Sequence, residues 1–200
     1  MLTNFNSMLR AAYADGYAVG SFNAYNYETI RGIIEAAKAS GSHSVIVAFG
    51  YKYLTNMELD DVVALTNTLA GRAGIDVCLH LDHTSDIPTI FRAIRAGFGS
   101  VMYDGSTLPF EENLLNTKLV CDVAHASGVS VEAELGSLAA GYQSHEGTAD
   151  DREVYTSPKQ AAKFVKETNV DALAVSIGTV HGLYKGTPNV RIDILQEINK

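Results

Sequence analysis

VCLHLDHTSDIPTIFRAIRAG, from Val77 to Gly97, sets a short apolar run against a helical one across a polar corner. Val77–Leu81 has the length and composition of a buried strand, whereas Asp86–Ala96 repeats its apolar residues at helical spacing and stops at Gly97. Asp82 and His83 occupy the corner. Strand, corner and amphipathic helix together make one βα unit of a parallel sheet.

The same rhythm runs through the whole chain. Apolar runs of strand length lie at Ala18–Phe22, Ser44–Phe49, Val77–Leu81, Ser100–Tyr103, Ser130–Leu135 and Ala172–Ser176. Helical periodicity spans Thr3–Ala14, Tyr27–Ser40, Leu59–Ala73, Asp86–Ala96, Pro109–Ser127 and Ser157–Thr168, with a last helix opening near Ile192. Gly41, Gly97 and Gly128 sit where helices should end, and Ser157-Pro158 supplies an N-cap and a first-turn proline. No low-complexity stretch or linker interrupts the pattern, so residues 1–200 are expected to form a single α/β domain of six βα units. A closed (β/α)8 barrel needs eight units and typically about 250 residues. Periodicity alone therefore leaves two architectures: a TIM barrel truncated after about six units, or an open doubly wound sheet.

Composition narrows the partners. Hydrophobic residues at 46% against 19% charged are the balance of a globular protein with one sizeable core. A net charge of −8 and a pI near 5.1, with no Lys/Arg run, give no field for a nucleic-acid backbone. The N-terminal MLTNFNSMLR lacks the apolar run of a signal peptide and no segment reaches membrane-spanning length, which predicts a cytoplasmic protein with no membrane partner. Cys78 and Cys121 each fall inside an apolar-periodic segment and read as packed thiols rather than a disulfide framework.

In a parallel α/β arrangement the site forms at the C-terminal strand ends. Those ends are polar here: Asn23 after the first strand, Asp82 and His83 after the third, Asp104 after the fourth, Glu134 on the fifth and His181 shortly after the sixth. Any one of these alone reads best as a helix cap or a solvated surface group. Several of them on strand ends that converge on one rim point instead to a metal, because two imidazoles with a third ligand and an open position suit a catalytic Zn²⁺. Strand alternation puts His80 with Asp82 on one face and Leu81 with His83 on the other, which makes His80 a core or supporting histidine. Glu132 and Glu134 share a face as well, and an inward-facing pair needs a hydrogen-bond or cationic partner. No lysine lies inside the six strands, so a Schiff-base nucleophile is absent from them.

Five ordered segments carry a resemblance: SFNAYNYET (21–29), CLHLDHTSD (78–86), SVMYDGS (100–106), VSVEAELG (129–136) and ALAVSIGTVHGLYKG (172–186). Together they resemble the class II ketose-bisphosphate aldolases, in particular the tagatose-bisphosphate and fructose-bisphosphate branch. The resemblance implies a (β/α)8 TIM barrel, Zn²⁺ as cofactor, His83 and His181 as zinc ligands, and Asp82 as proton donor to the aldehyde oxygen. It further implies Asp104 and Glu134 at a second or alternate cation position, a divalent or a monovalent ion, with backbone contact from Gly182 to the substrate phosphate and a substrate-binding role for Asn23. The expected reaction is reversible cleavage of a ketose 1,6-bisphosphate, tagatose or fructose, to dihydroxyacetone phosphate and glyceraldehyde 3-phosphate. The partner is then a phosphorylated sugar, and the full-length protein is expected to be a homodimer or homotetramer. The alternative is a non-catalytic barrel remnant with a residual metal site.

Three features depart from the family pattern. Its third zinc histidine belongs to a later HGGSG- or HGASG-like motif that does not occur before Lys200, so the expectation is a barrel lacking its last two βα units. In ELGSLAAGYQSHEG (134–147), Tyr142 and Gln143 stand where an acidic pair is usual, and Glu146 is the nearest carboxylate to replace it. Gly50 ends the second strand where many members carry a Ser or Thr that contacts substrate.

Overall fold

A computed structural model of the chain describes residues 2–136, 139–140, 155–184 and 187–200. Two compact units divide the chain: residues 1–103 with 119–132, and residues 104–118 with 133–200. The first holds β1 (Leu2–Thr3), α1 (Phe5–Asp15), β2 (Ser21–Ala24), α2 (Tyr27–Ala39), β3 (Ser44–Gly50), a 3₁₀ turn over Tyr51–Thr55, α3 (Leu59–Ala73), β4 (Asp76–Thr84), α4 (Ile87–Ala96) and β5 (Ser100–Tyr103). α5 (Phe110–Ala126) and β6 (Ser130–Leu135) pass from one unit into the other. The second unit continues with β7 (Ala139–Ala140), α6 (Pro158–Thr168), β8 (Ala172–Val175), β9 (Val180–His181) and α7 (Ile192–Ile198).

The long strands are hydrogen-bonded in the order β2, β3, β4, β5, β6, β8, with β1 added to β4. β1 on β4, β2 on β3, β3 on β4 and β4 on β5 are all parallel. An open doubly wound sheet reverses its strand order at a switch point. Here spatial order follows chain order with helices in the crossovers, which is the winding of a TIM barrel, and six of its βα units are present among the described residues.

Local chemistry starts and stops these elements. Asn26 and Thr29 cap α2 reciprocally, Asp86 accepts from Thr89 N at the head of α4, and Ser157 does the same for Gln160 ahead of Pro158. β3 is buried along its length apart from Ser44, as expected for a parallel strand covered on both faces. The opening helix is Phe5–Asp15 rather than Thr3–Ala14, with Leu2–Thr3 a strand, and two further differences bear on the site. The first barrel strand is Ser21–Ala24 rather than Ala18–Phe22, because pairing of Ser21 with Ile46 sets its start and the apolar Tyr17–Val19 run stays outside the ladder. β4 runs on to Thr84, so Asp82 and His83 belong to the strand end rather than to the corner after it.

The N-terminal segment is bound into the first unit. Thr3 pairs with Cys78 on β4 just before β5 begins, Asn4 Nδ2 donates to Gly128 O (3.1 Å), and Asn6 N donates to Ser130 Oγ (3.0 Å). Gly99 makes room for it: a β-carbon there would stand 2.3 Å from the Thr3 carbonyl oxygen. Backbone cannot yield as a side-chain tip can, so Gly99→Ala should cost about 1–3 kcal/mol in denaturant unfolding of the chain. An unchanged midpoint would mean that β1 is not held there.

Candidate functional site

β4 delivers Asp82 and His83, and it does so by breaking its own ladder. On one side Asp82 still pairs with Gly50 of β3; on the other the register with β5 shifts between Leu81 and Thr84. His83 takes φ 46°, a left-handed conformation that a residue with a β-carbon rarely adopts. Alternation, which would have set His83 with Leu81, ends at this residue.

Asp82 is largely buried, with 18% of its side-chain surface exposed. Burial pushes its carboxyl up, but the neighbouring His80 imidazole, then the charge and backbone N–H of His83, outweigh it and hold it below the usual carboxylate range. His80 is buried as expected, its ring stacked on Phe5 at 4.6 Å between centroids, with Nδ1 3.0 Å from Ser100 Oγ. Its Nε2 faces Glu132 Oε2 at 3.3 Å and Asp82 Oδ1 at 3.7 Å, charge contacts that lie off hydrogen-bond geometry. The named partner required for one of the two β6 carboxylates is therefore His80, on Glu132. Cys78 and Cys121 are buried and neither is in a disulfide, and burial, then the charge of Glu132, pushes the Cys78 thiol far above its ordinary range.

The second unit positions its own residues. Asp104 follows β5 directly and its Oδ1 accepts from Ser106 N (3.1 Å) and Ser106 Oγ (2.7 Å). Glu134 is 4% exposed, and its backbone carbonyl accepts from Asn113 Nδ2 at 2.9 Å, with Asn113 Oδ1 accepting in turn from Thr117 Oγ1 at 3.1 Å. Thr156 ties the end of β6 to the residue after β8, its Oγ1 donating to Leu135 O and accepting from Ser176 N. His181 lies on β9, opposite Ala140 of β7, and exposed Gly182 follows at φ 92°. Asn23 is exposed within β2, paired with Ala48.

Two of the expected site residues come together inside the second unit: the ligand atoms of Asp104 and Glu134 lie within 4.8 Å of each other. Two carboxylates at that spacing are donors that a divalent ion accepts. His181 is not a member of that group. Tyr142, Gln143 and Glu146 lie outside the described residues.

Sequence reasoning passed over two contributors. Tyr53, from the turn after β3, takes the space that a side chain on Gly50 would need, its ring atoms 3.2 Å from that position, and it also packs on Tyr25 and Phe49. Asn113 lies in the first turn of α5, where a polar side chain is ordinary, but it is buried and its amide donates to the Glu134 carbonyl.

The fructose-bisphosphate aldolase class-II family matches residues 3–200. The chain belongs to that family. This aldolase-family chain is 42% identical over 195 residues to the sulfofructosephosphate aldolase of Alkalicoccus urumqiensis, covering 97% of this chain and 67% of the relative. To the fructose-bisphosphate aldolase of Thermus caldophilus it is 42% identical over 199 residues, covering 96% and 62%. Among solved structures, the YdjI aldolase from Escherichia coli K12 superposes with a TM-score of 0.85 at 34% identity over 99% of this chain and 69% of that one. A putative fructose-1,6-bisphosphate aldolase from Coccidioides immitis gives 0.89 at 30% identity, over 98% and 69%. The chain thus spans about two thirds of the length of the relatives it matches. Among the described residues no helix is long and apolar enough to cross a membrane.

Two measurements on the metal-free chain check this geometry. A carboxyl held below its usual range stabilises the fold above the unfolded-state value, and that contribution is lost as pH falls through the lower folded value. Asp82→Asn should therefore flatten the loss of melting temperature below about pH 4, where the parent falls steeply. At His83, glycine accepts the left-handed backbone that alanine resists, so His83→Gly should be the more stable of the two by up to about 1 kcal/mol. Alanine as the more stable substitution would show that the positive φ is not enforced.

Proposed function

We propose that this chain carries the metal-dependent aldol-cleavage site of its family, acting on fructose or tagatose 1,6-bisphosphate to give dihydroxyacetone phosphate and glyceraldehyde 3-phosphate. The observation that carries the reading is the pairing of Asp82 and His83 at the end of one strand, with His83 turned at φ 46°, in a chain of this family. His83 and His181 would hold Zn²⁺, with Asp104 and Glu134 taking a second or alternate cation position. When bound, such a cation supplies Lewis acidity at the ketose carbonyl.

Asp82 handles the proton. Held below the usual carboxylate range, it is ionised in the resting protein. In cleavage it takes the proton from the C4 hydroxyl as the bond between C3 and C4 breaks, and in condensation it returns that proton to the aldehyde oxygen. Gly182, without a side chain to obstruct approach, would offer its backbone to a substrate phosphate, and Asn23 would contact the sugar from β2. Homo-oligomer formation belongs to the same reading.

The test is zinc content together with cleavage of both bisphosphates by the full chain. His83→Ala and His181→Ala should each abolish stoichiometric Zn²⁺ binding, whereas Asp82→Ala should keep the metal and bring cleavage to background. Unchanged zinc in both histidine variants would defeat the ligand assignment, and a parent chain that binds zinc without turnover would favour the non-catalytic alternative.

A further inference from the structure

His80 does more than fill space. The ring is 2% exposed and stacked on Phe5, so packing alone would accept a phenylalanine or leucine there. Yet both ring nitrogens meet polar groups: Nδ1 meets the buried hydroxyl of Ser100 at 3.0 Å, and Nε2 meets two carboxylates, Glu132 at 3.3 Å and Asp82 at 3.7 Å. Ionised carboxylates only accept, so the proton must sit on Nε2, and in the neutral ring Ser100 then donates to Nδ1. Burial, the stacked ring and Ser100 together fix where that proton points. The two carboxylates it serves would otherwise repel one another across a poorly solvated space.

We propose that His80 is the positioning residue for Asp82: its Nε2–H, anchored by Ser100 and Phe5 and placed between Glu132 and Asp82, holds the Asp82 carboxylate in one orientation for proton transfer. This rests on the reading of Asp82 given above. Glu132 is the nearer partner and keeps the imidazole in place, while Asp82 is oriented by the Nε2–H dipole at the longer distance and remains available to substrate. Losing the Nε2–H leaves Asp82 facing Glu132 with no donor between them, and the carboxylate turns away.

The test compares His80→Leu, His80→Gln, Asp82→Asn and the double variant His80→Leu/Asp82→Asn in the full chain with Zn²⁺. Readouts are zinc content, kcat and KM for fructose 1,6-bisphosphate cleavage, and ¹⁵N spectra of the histidine rings. His80→Leu should keep its zinc and a KM within about twofold of the parent while kcat falls on the order of 10- to 100-fold, the usual effect of misplacing a reacting group. His80→Gln, whose amide restores a donor, should recover most of the loss. The double variant should be no slower than Asp82→Asn alone, because both changes act through one carboxylate. The His80 ring should carry its proton on Nε2 and shift in Asp82→Asn. A folded, zinc-bound His80→Leu at parental kcat, beside an inactive Asp82→Asn, overturns the positioning role alone; an Asp82→Asn that cleaves normally overturns the reading of Asp82. If the chain shows no turnover, the spectra decide: an unprotonated Nε2, or a ring blind to Asp82→Asn, ends the proposal.

Discussion

One interruption in one strand organises the candidate site. β4 keeps its ladder with β3 through the pairing of Asp82 with Gly50, yet slips against β5 between Leu81 and Thr84. A strand held on one edge and released on the other can bring two consecutive side chains to the same rim, and His83 at φ 46° is the residue that turns. Such a conformation persists only where its surroundings over-determine it. Here the buried run from Val77 to Leu81 supplies that hold.

Below the rim, the start of the chain supports the same strand. Thr3 extends the β4 ladder, Asn4 and Asn6 fasten the segment to Gly128 and Ser130, and Phe5 lies flat under the His80 imidazole. Each contact is modest alone, since a net hydrogen bond contributes about 1 kcal/mol. In combination they leave His80 little freedom, and through it they touch the two carboxylates at 3.3 and 3.7 Å. A helix at the beginning of the sequence thereby bears on the carboxylate at the end of β4.

The rim next to Asp82 also has a character of its own. Where family members often carry a Ser or Thr, Gly50 leaves a space that the Tyr53 ring fills from the following turn. Tyr25 packs on the same ring with centroids 5.3 Å apart, and Lys52 lies over it at 5.3 Å. The strand end thus presents an aromatic surface beside Gly50 while the pairing of Gly50 with Asp82 is kept.

Much of this was legible in the sequence, because periodicity is a local property. The helices around Tyr27, Leu59 and Ser157 and the strands at Ser44, Ser100 and Ser130 follow from spacing and caps, and the five ordered segments identified the family. Sequence also singled out His83, at the end of β4, and Asp104 and Glu134, whose ligand atoms lie close together. Tertiary structure decided what depends on partners distant in the chain: that spatial strand order follows chain order, that β2 begins at Ser21, and that alternation fails at His83. It also gave His80 its two carboxylates and gave Glu134 its carbonyl partner Asn113, 21 residues away. The physical reason is that a side chain's face and partners are set by the register of strands brought together in space, and that register is written in no single segment.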